Sequence, residues 1–207
     1  LRALADNNKL ITKEILMSFY TSLTGLNAAA AELAIASNNI ANSSTTSFKR
    51  SDANFGDIFA MSASSNMATA MGGGVQLVGV DQQFSQGGLE LTDNALDMAI
   101  DGAGFFQVLL PDGRIGFTRN GAFGRNAEGL LTTASGYVIQ PEVAIPEGVT
   151  SINISADGIV TVQNPGEVEA EEVGQFQLAD FPNSRGLQPI GQSMLVETPA
   201  SGPPVVA

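Results

Sequence analysis

SFYTSLTGLNAAAAELAIASNNIA, residues 18–41, sets its apolar side chains on a repeat suited to a helix that must meet another helix. Phe19, Leu23, Leu26, Ala30, Leu33, Ser37 and Ile40 succeed one another at steps of 4, 3, 4, 3, 4 and 3 residues. A mean step of about 3.5 residues holds one seam on one side of a helix over many turns. The seam is narrow, and its small members Ala30 and Ser37 let a partner approach closely. Ala28 to Ala31 add helix propensity, while Gly25 subtracts about 1 kcal/mol relative to alanine. The same spacing also suits an ordinary amphipathic helix lying on its own core, and spacing alone does not choose between the two.

The helix is expected to stop at Asn42-Ser-Ser-Thr-Thr-Ser47, whose short polar side chains compete for backbone hydrogen bonds. Upstream, residues 1–16 also have a helical pattern, with Leu4, Ile11 and Leu16 among polar residues. Met17-Ser18-Phe19 reads like a natural start, so residues 1–16 are taken as an extension of unknown role. Residues 17–50 form the N-terminal helical segment. Residues 51–74 are expected to be a flexible connector, because 60–74 is rich in Ser, Ala and Met and ends in three glycines.

From Val75 the period changes to two. Phe105–Leu110 is a strong strand, turned by Pro111-Asp112-Gly113 and answered by Arg114–Arg119. Ser151–Ser155 and Ile159–Gln163 flank Ala156-Asp157-Gly158 in the same way, since Asp-Gly supplies the positive φ of a tight hairpin. Leu130–Thr133, Tyr137–Gln140, Gln175–Ala179 and Met194–Glu197 are further strand candidates. Residues 75–197 therefore read as an irregular antiparallel β domain. Thr198–Ala207, with three prolines and a glycine, reads as a truncated linker. The fold class is mainly β with an N-terminal α-helix: an irregular antiparallel β domain plus a coiled-coil-forming helical segment.

Composition narrows the function. The 207 residues include no Cys, His or Trp, which removes Cys/His zinc sites, Ser–His–Asp triads and thiol nucleophiles. Net charge is −12, unevenly spread: residues 1–50 carry five basic and three acidic residues, residues 51–207 four basic and eighteen acidic. Such a body is poorly suited to nucleic-acid phosphates and suits a self-repelling, soluble surface. No stretch has the run of about 18 apolar residues of a membrane span, and Leu10–Leu16 is too short and too interrupted for a cleavable secretory signal.

Several motifs that could carry chemistry resolve into plainer roles. Gly102-x-Gly104 lacks the third glycine of a dinucleotide fingerprint and precedes a strand, so its glycines serve a turn. Asp93, Asp97 and Asp101 form no Asp-x-Asp-x-Asp-Gly loop and read as solvated charges. Glu167, Glu169, Glu171 and Glu172 read as a wet loop, and nothing pairs two acids for glycosidase chemistry. No catalytic, cofactor-binding or metal-binding residue is assigned.

Three groups of residues carry a resemblance. Leu23-Thr-Gly-Leu26, Ser37-Asn-Asn-Ile-Ala-Asn42 and Thr45-Thr-Ser-Phe-Lys49 resemble the N-terminal signature of bacterial flagellar rod and hook proteins. Asn94-Ala-Leu-Asp-Met-Ala-Ile-Asp-Gly-Ala-Gly-Phe-Phe106 resembles the segment that opens their β domain. Thr118-Arg-Asn-Gly-Ala-Phe123 with Gly129-Leu-Leu-Thr132 resembles the next one along. The matches run in order across residues 17–200. Residues 137–197 resemble the distal rod type most, and no room exists for the large inserted domain of a hook protein. Met17–Tyr20 and Asn54–Phe59 are more hook-like.

The resemblance implies a structural, non-enzymatic axial subunit of the basal-body rod that assembles into a tube, with a hook subunit as the alternative. It implies that Phe19, Leu23, Leu26, Ala30, Leu33, Ser37, Asn38, Asn39 and Ile40 make subunit contacts. It also implies that Phe19 and Leu23 double as an export element read by the flagellar type III apparatus without signal cleavage. The partners would be further copies of the chain and the adjacent rod and hook proteins. In that family a C-terminal helix pairs with the N-terminal one; this chain ends in Pro203-Pro-Val-Val-Ala207, so it reads as a fragment. The rivals from other classes are a periplasmic β-rich binding module and a peptidoglycan hydrolase.

Overall fold

The computed structural model describes residues 2–60, 71–166 and 169–206, with side chains from residue 15 onward except those of Ala60 and Met71. The chain is mainly β with one long N-terminal helix, and it divides into two compact units. The first comprises the residues up to Thr45 together with Arg50–Gln83; the second comprises Thr46–Lys49 and the residues from Phe84 on.

In the first unit α1 runs unbroken over Arg2–Ala41. No break separates residues 2–16 from the rest of it. Asn42 closes the helix: its N–H and its Nδ2 both donate to the Asn38 carbonyl, at 3.1 and 3.0 Å. Past that turn, paired strands stand where a flexible connector is expected. Ser51–Ala60 is strand β1 and Met71–Gln82 is strand β2, paired antiparallel from Ser51↔Gln82 to Ala60↔Met71. Ladder hydrogen bonds and the cross-strand pair Phe55↔Leu77 outweigh the low propensity of glycine here. Two register shifts, at Asn54/Phe55 and Ile58/Phe59, accommodate the irregular sequence. The connector residues 61–70 lie outside the described residues.

The second unit is built around β3 (Phe105–Leu109). It pairs with β4 (Ile115–Thr118) and β7 (Val138–Gln140), and the sheet continues through β13 (Met194–Val196) to β12 (Gln188–Gly191) on one side and through β6 (Leu131–Thr133) to β5 (Phe123–Arg125) on the other. Among the described residues the order across the sheet is β12-β13-β4-β3-β7-β6-β5. A second sheet is formed by β8 (Ser151–Ile154), β9 (Ile159–Gln163) and β10 (Glu171–Gln175), in the order β10-β9-β8.

Consecutive phenylalanines in β3 point to opposite faces and both are buried. Phe106 joins Val108, Phe123, Ile139, Val160, Val162 and Phe176 in the larger core, so the second sheet contributes through Val160 and Val162. Phe105 joins Phe117, Phe181, Leu187 and Leu195 in a smaller one. Phe117 and Phe181 meet edge to face at 4.7 Å between centroids, a geometry the ring quadrupole favours.

Three sequence expectations need correction here. Gln175–Ala179 is not one strand: the chain leaves β10 at Gln175, turns Phe176 into the core, and resumes as β11 at Leu178–Asp180. Burying the Phe176 ring forces the break. Glu171 and Glu172 lie in β10 rather than a loop; their carboxylates stay exposed because β10 is an edge strand. Glu167 lies outside the described residues. The tail is no linker, for Thr198 Oγ1 donates to the Gly186 carbonyl at 2.6 Å, Ser201 is fully buried, and β14 (Val205–Val206) pairs with β11. Its hydroxyls satisfy a turn that the prolines alone would leave open.

Gly121 marks where the segment before β3 meets the sheet. Met98 N–H donates to the Gly121 carbonyl at 2.9 Å, and a Cβ on Gly121 would collide with the Met98 backbone carbonyl. Gly121→Ala is expected to destabilise the β unit by about 2 kcal/mol or more, since backbone must move to admit the methyl. Urea unfolding followed by far-UV circular dichroism checks this; an unchanged midpoint would contradict it.

Candidate assembly surface

At ~100° per residue, α1 presents two chemically different sides. Thr24, Ala28, Ala31, Ile35 and Asn39 are half-buried and share one side. Phe19, Leu26, Ala30, Leu33, Ser37 and Ile40 are exposed and share the opposite one, with Leu23 at its margin.

The small-residue side is held by the chain's own hairpin through named contacts at both ends. Near the start of β2, Thr24 Oγ1 accepts from the Val75 N–H at 3.3 Å and donates to the Thr21 carbonyl at 2.8 Å. Gly74 lies against that hydroxyl at φ +116°, where a Cβ would overlap Thr24 Oγ1. At the other end, Asn39 Nδ2 donates to the Ser51 carbonyl at 2.8 Å and its Oδ1 accepts from the Ser51 N–H at 2.9 Å. A side-chain amide thus acts as one more rung at the start of β1, satisfying a strand end that would otherwise need water.

With that side occupied, the large apolar residues are left outward. Phe19 and Leu26 each retain 68% of their accessible surface, Leu33 69% and Ile40 75%. Ile15 continues the stripe toward the N-terminus, with Leu16 at its margin. A contiguous apolar row of this length is a candidate interaction surface. The Ser37 hydroxyl donates to the Leu33 carbonyl at 2.7 Å, which hides its polarity within the helix.

Of the residues assigned to subunit contact from the sequence, Phe19, Leu23, Leu26, Ala30, Leu33, Ser37 and Ile40 share this open side. Asn38 is exposed beside it. Asn39 instead faces the hairpin, and both ends of its amide are engaged within the chain. The seam period could not place it, since Asn38 and Asn39 differ by one residue and therefore by a large rotation about the axis. The hairpin-facing side itself went unread; its trace in the sequence was the pairing of the alanine run with Gly72-Gly73-Gly74. The hairpin adds its own exposed apolar residues, notably Phe59, Val78 and Val80.

The described residues hold no group of three or more Asp or Glu placed to hold a metal ion, and no helix long and apolar enough to cross a membrane.

Comparison with known proteins agrees with this architecture. Residues 19–49 match the family described as flagella basal body rod protein, and residues 99–162 match the D1 domain of the flagellar hook protein FlgE/F/G family. A flagellar basal-body rod protein FlgG of Buchnera aphidicola (subsp. Schizaphis graminum) is 42% identical over 199 residues, covering 91% of this chain and 76% of the relative. One from Caulobacter vibrioides is 40% identical, covering 90% and 76%. The flagellar hook protein FlgE of Salmonella typhimurium is 42% identical over 107 residues, covering 52% of this chain and 25% of that protein. The chain thus spans about three quarters of the length of the rod relatives.

Gly74→Ala is expected to loosen the hairpin from α1. A left-handed backbone costs an alanine about 1–3 kcal/mol, and the methyl also meets Thr24. Hydrogen exchange would report it as faster exchange of the Val75 and Ser51 amides; unchanged rates would contradict the contact.

Proposed function

This chain belongs to the flagellar basal-body rod protein family, and we propose that it joins the rod by burying the open stripe of α1 against helices of neighbouring subunits. Its role is that of a structural subunit of the flagellar basal body. The observation that carries the assembly reading is the stripe itself, apolar from Phe19 to Ile40 and uncovered within its own unit.

The energetics favour a partner. Burying one large apolar side chain is worth about 1.5–3 kcal/mol, so Phe19, Leu23, Leu26, Leu33 and Ile40 together exceed the net stability of many small domains. Contacts that join two different surfaces of the same chain, and that do not close a ring, produce an open helical polymer. In this reading the seam packs in coiled-coil fashion and the subunits form a tube, with other rod and hook proteins continuing it above and below.

The same segment supports the finer parts of the reading. Phe19 and Leu23 stand one turn apart, and serve as an export element while the chain passes unfolded through the flagellar type III apparatus without signal cleavage; they pack into the seam after delivery. The subunit resides in the periplasmic rod and performs no catalysis. Similarity along most of the chain to rod proteins, against a limited stretch shared with a hook protein, favours the rod over the hook. A binding module or a wall hydrolase finds no comparable support.

Leu26→Asp in the full-length protein is expected to abolish fibres visible by negative-stain microscopy while leaving the thermal transition of the β unit unchanged. Fibres at wild-type yield in that variant would overturn the reading.

A further inference from the structure

The second unit is strongly acidic, yet it brings two cations to one place and pairs neither. Lys49 Nζ donates to the Ser85 carbonyl at 2.8 Å. The next residue, Gln86, receives Arg119 Nη1 at its Oε1 over a long 3.5 Å. The Arg119 guanidinium lies over the Phe105 ring, 5.0 Å from its centroid, and its buried Nε has no hydrogen-bond partner. The ion pairs among the described residues are Arg50–Asp52 and Arg114–Asp112, so Lys49 and Arg119 belong to none.

Electrostatics at this place are unbalanced. Burial lowers the pKa of Lys49, and the nearby Arg119 charge lowers it further. Burial also lowers that of Arg119, opposed by the charge of Asp180. Asp180 stands beyond ion-pair distance, and its Oδ1 accepts from the Phe181 N–H at 2.8 Å. Two positive charges thus stand near each other, Lys49 held by Ser85 and Arg119 by Gln86 and Phe105, and Asp180 acts on Arg119 only from a distance. Partly buried cations without partners cost stability that an incoming anion restores.

We propose that Lys49 and Arg119 form a receptor for a carboxylate side chain of a second copy of this chain. The inference rests on the assembly reading above. Charge complementarity selects the occupant: residues 51–207 carry eighteen acidic residues against four basic, so each copy presents many carboxylates to its neighbours. Glu169, Glu171 and Glu172 form one exposed group of them. In a polymer whose contacts join two unlike surfaces, a cationic socket on one copy and an acid on the next recur at every interface. A planar guanidinium beside an ammonium suits a carboxylate, because charge-assisted bonds are short and directional. The socket also offsets self-repulsion, which otherwise opposes the close stacking of chains of charge −12.

The test is the critical concentration for fibre formation by the full-length protein, measured by sedimentation at low and at high salt. Lys49→Gln and Arg119→Gln are each expected to raise it about tenfold at low salt, and to flatten its rise with salt. Arg119 also packs on Phe105, so Lys49→Gln, which disturbs no aromatic contact, decides the matter if Arg119→Gln lowers the thermal transition. Wild-type critical concentration for Lys49→Gln would overturn the inference. So would an acetate-dependent stabilisation of the monomer equal in strength to the effect on assembly, which would make the pair a site for free small anions. Failure of the assembly reading is separable: it appears as normal fibres from Leu26→Asp, whatever the charge variants do.

Discussion

The first unit depends on the close contact between α1 and the β1–β2 hairpin. Small residues at Thr24, Ala28 and Ala31 let the strands approach the helix, and Gly74 removes the side chain that would keep β2 away. Asn39 then fixes the register by bonding both backbone groups of Ser51. Because the hairpin takes that side, Phe19, Leu26, Leu33 and Ile40 have no cover within their unit. Stability of the unit and openness of the stripe come from the same division of the helix surface.

The β unit obeys different physics. Its sheets are held by aromatic and branched side chains in two cores, with β3 buried on both faces. Most of its acidic side chains stay exposed at edges and turns, while Lys49 and Arg119 are half-buried beside the smaller core. The β unit and the helix with its open stripe belong to separate compact units of the chain.

Much of this was legible in the sequence. The 4-3 spacing of Phe19 to Ile40 marked the open side of the helix, because side-chain period maps directly onto helix face. Asp112-Gly113 and Asp157-Gly158 marked hairpins whose glycines take φ of +82° and +77°. The hairpin at 51–60 and 71–82 was hidden, since glycine and serine signal loops unless a partner strand supplies the ladder, and that partner lies outside any local window. The tail was hidden for the same reason, as Ser201 is buried only once Thr198 reaches Gly186. Phe176 shows the limit of alternation: burying one ring broke a stretch that reads as a single strand. Lys49 and Arg119 are 70 positions apart, and only the fold brings them to neighbouring residues of one segment.

The chain has no cysteine, so a single introduced thiol reports on one position only. The decisive measurement compares labelling rates of Leu33→Cys and Ala31→Cys in monomer and in fibre. The stripe should react fast at position 33 in the monomer and be protected once fibres form, while position 31, under the hairpin, should react slowly in both. Fast labelling at position 33 in the fibre, or protection there in the monomer, would show that the stripe joins no neighbour.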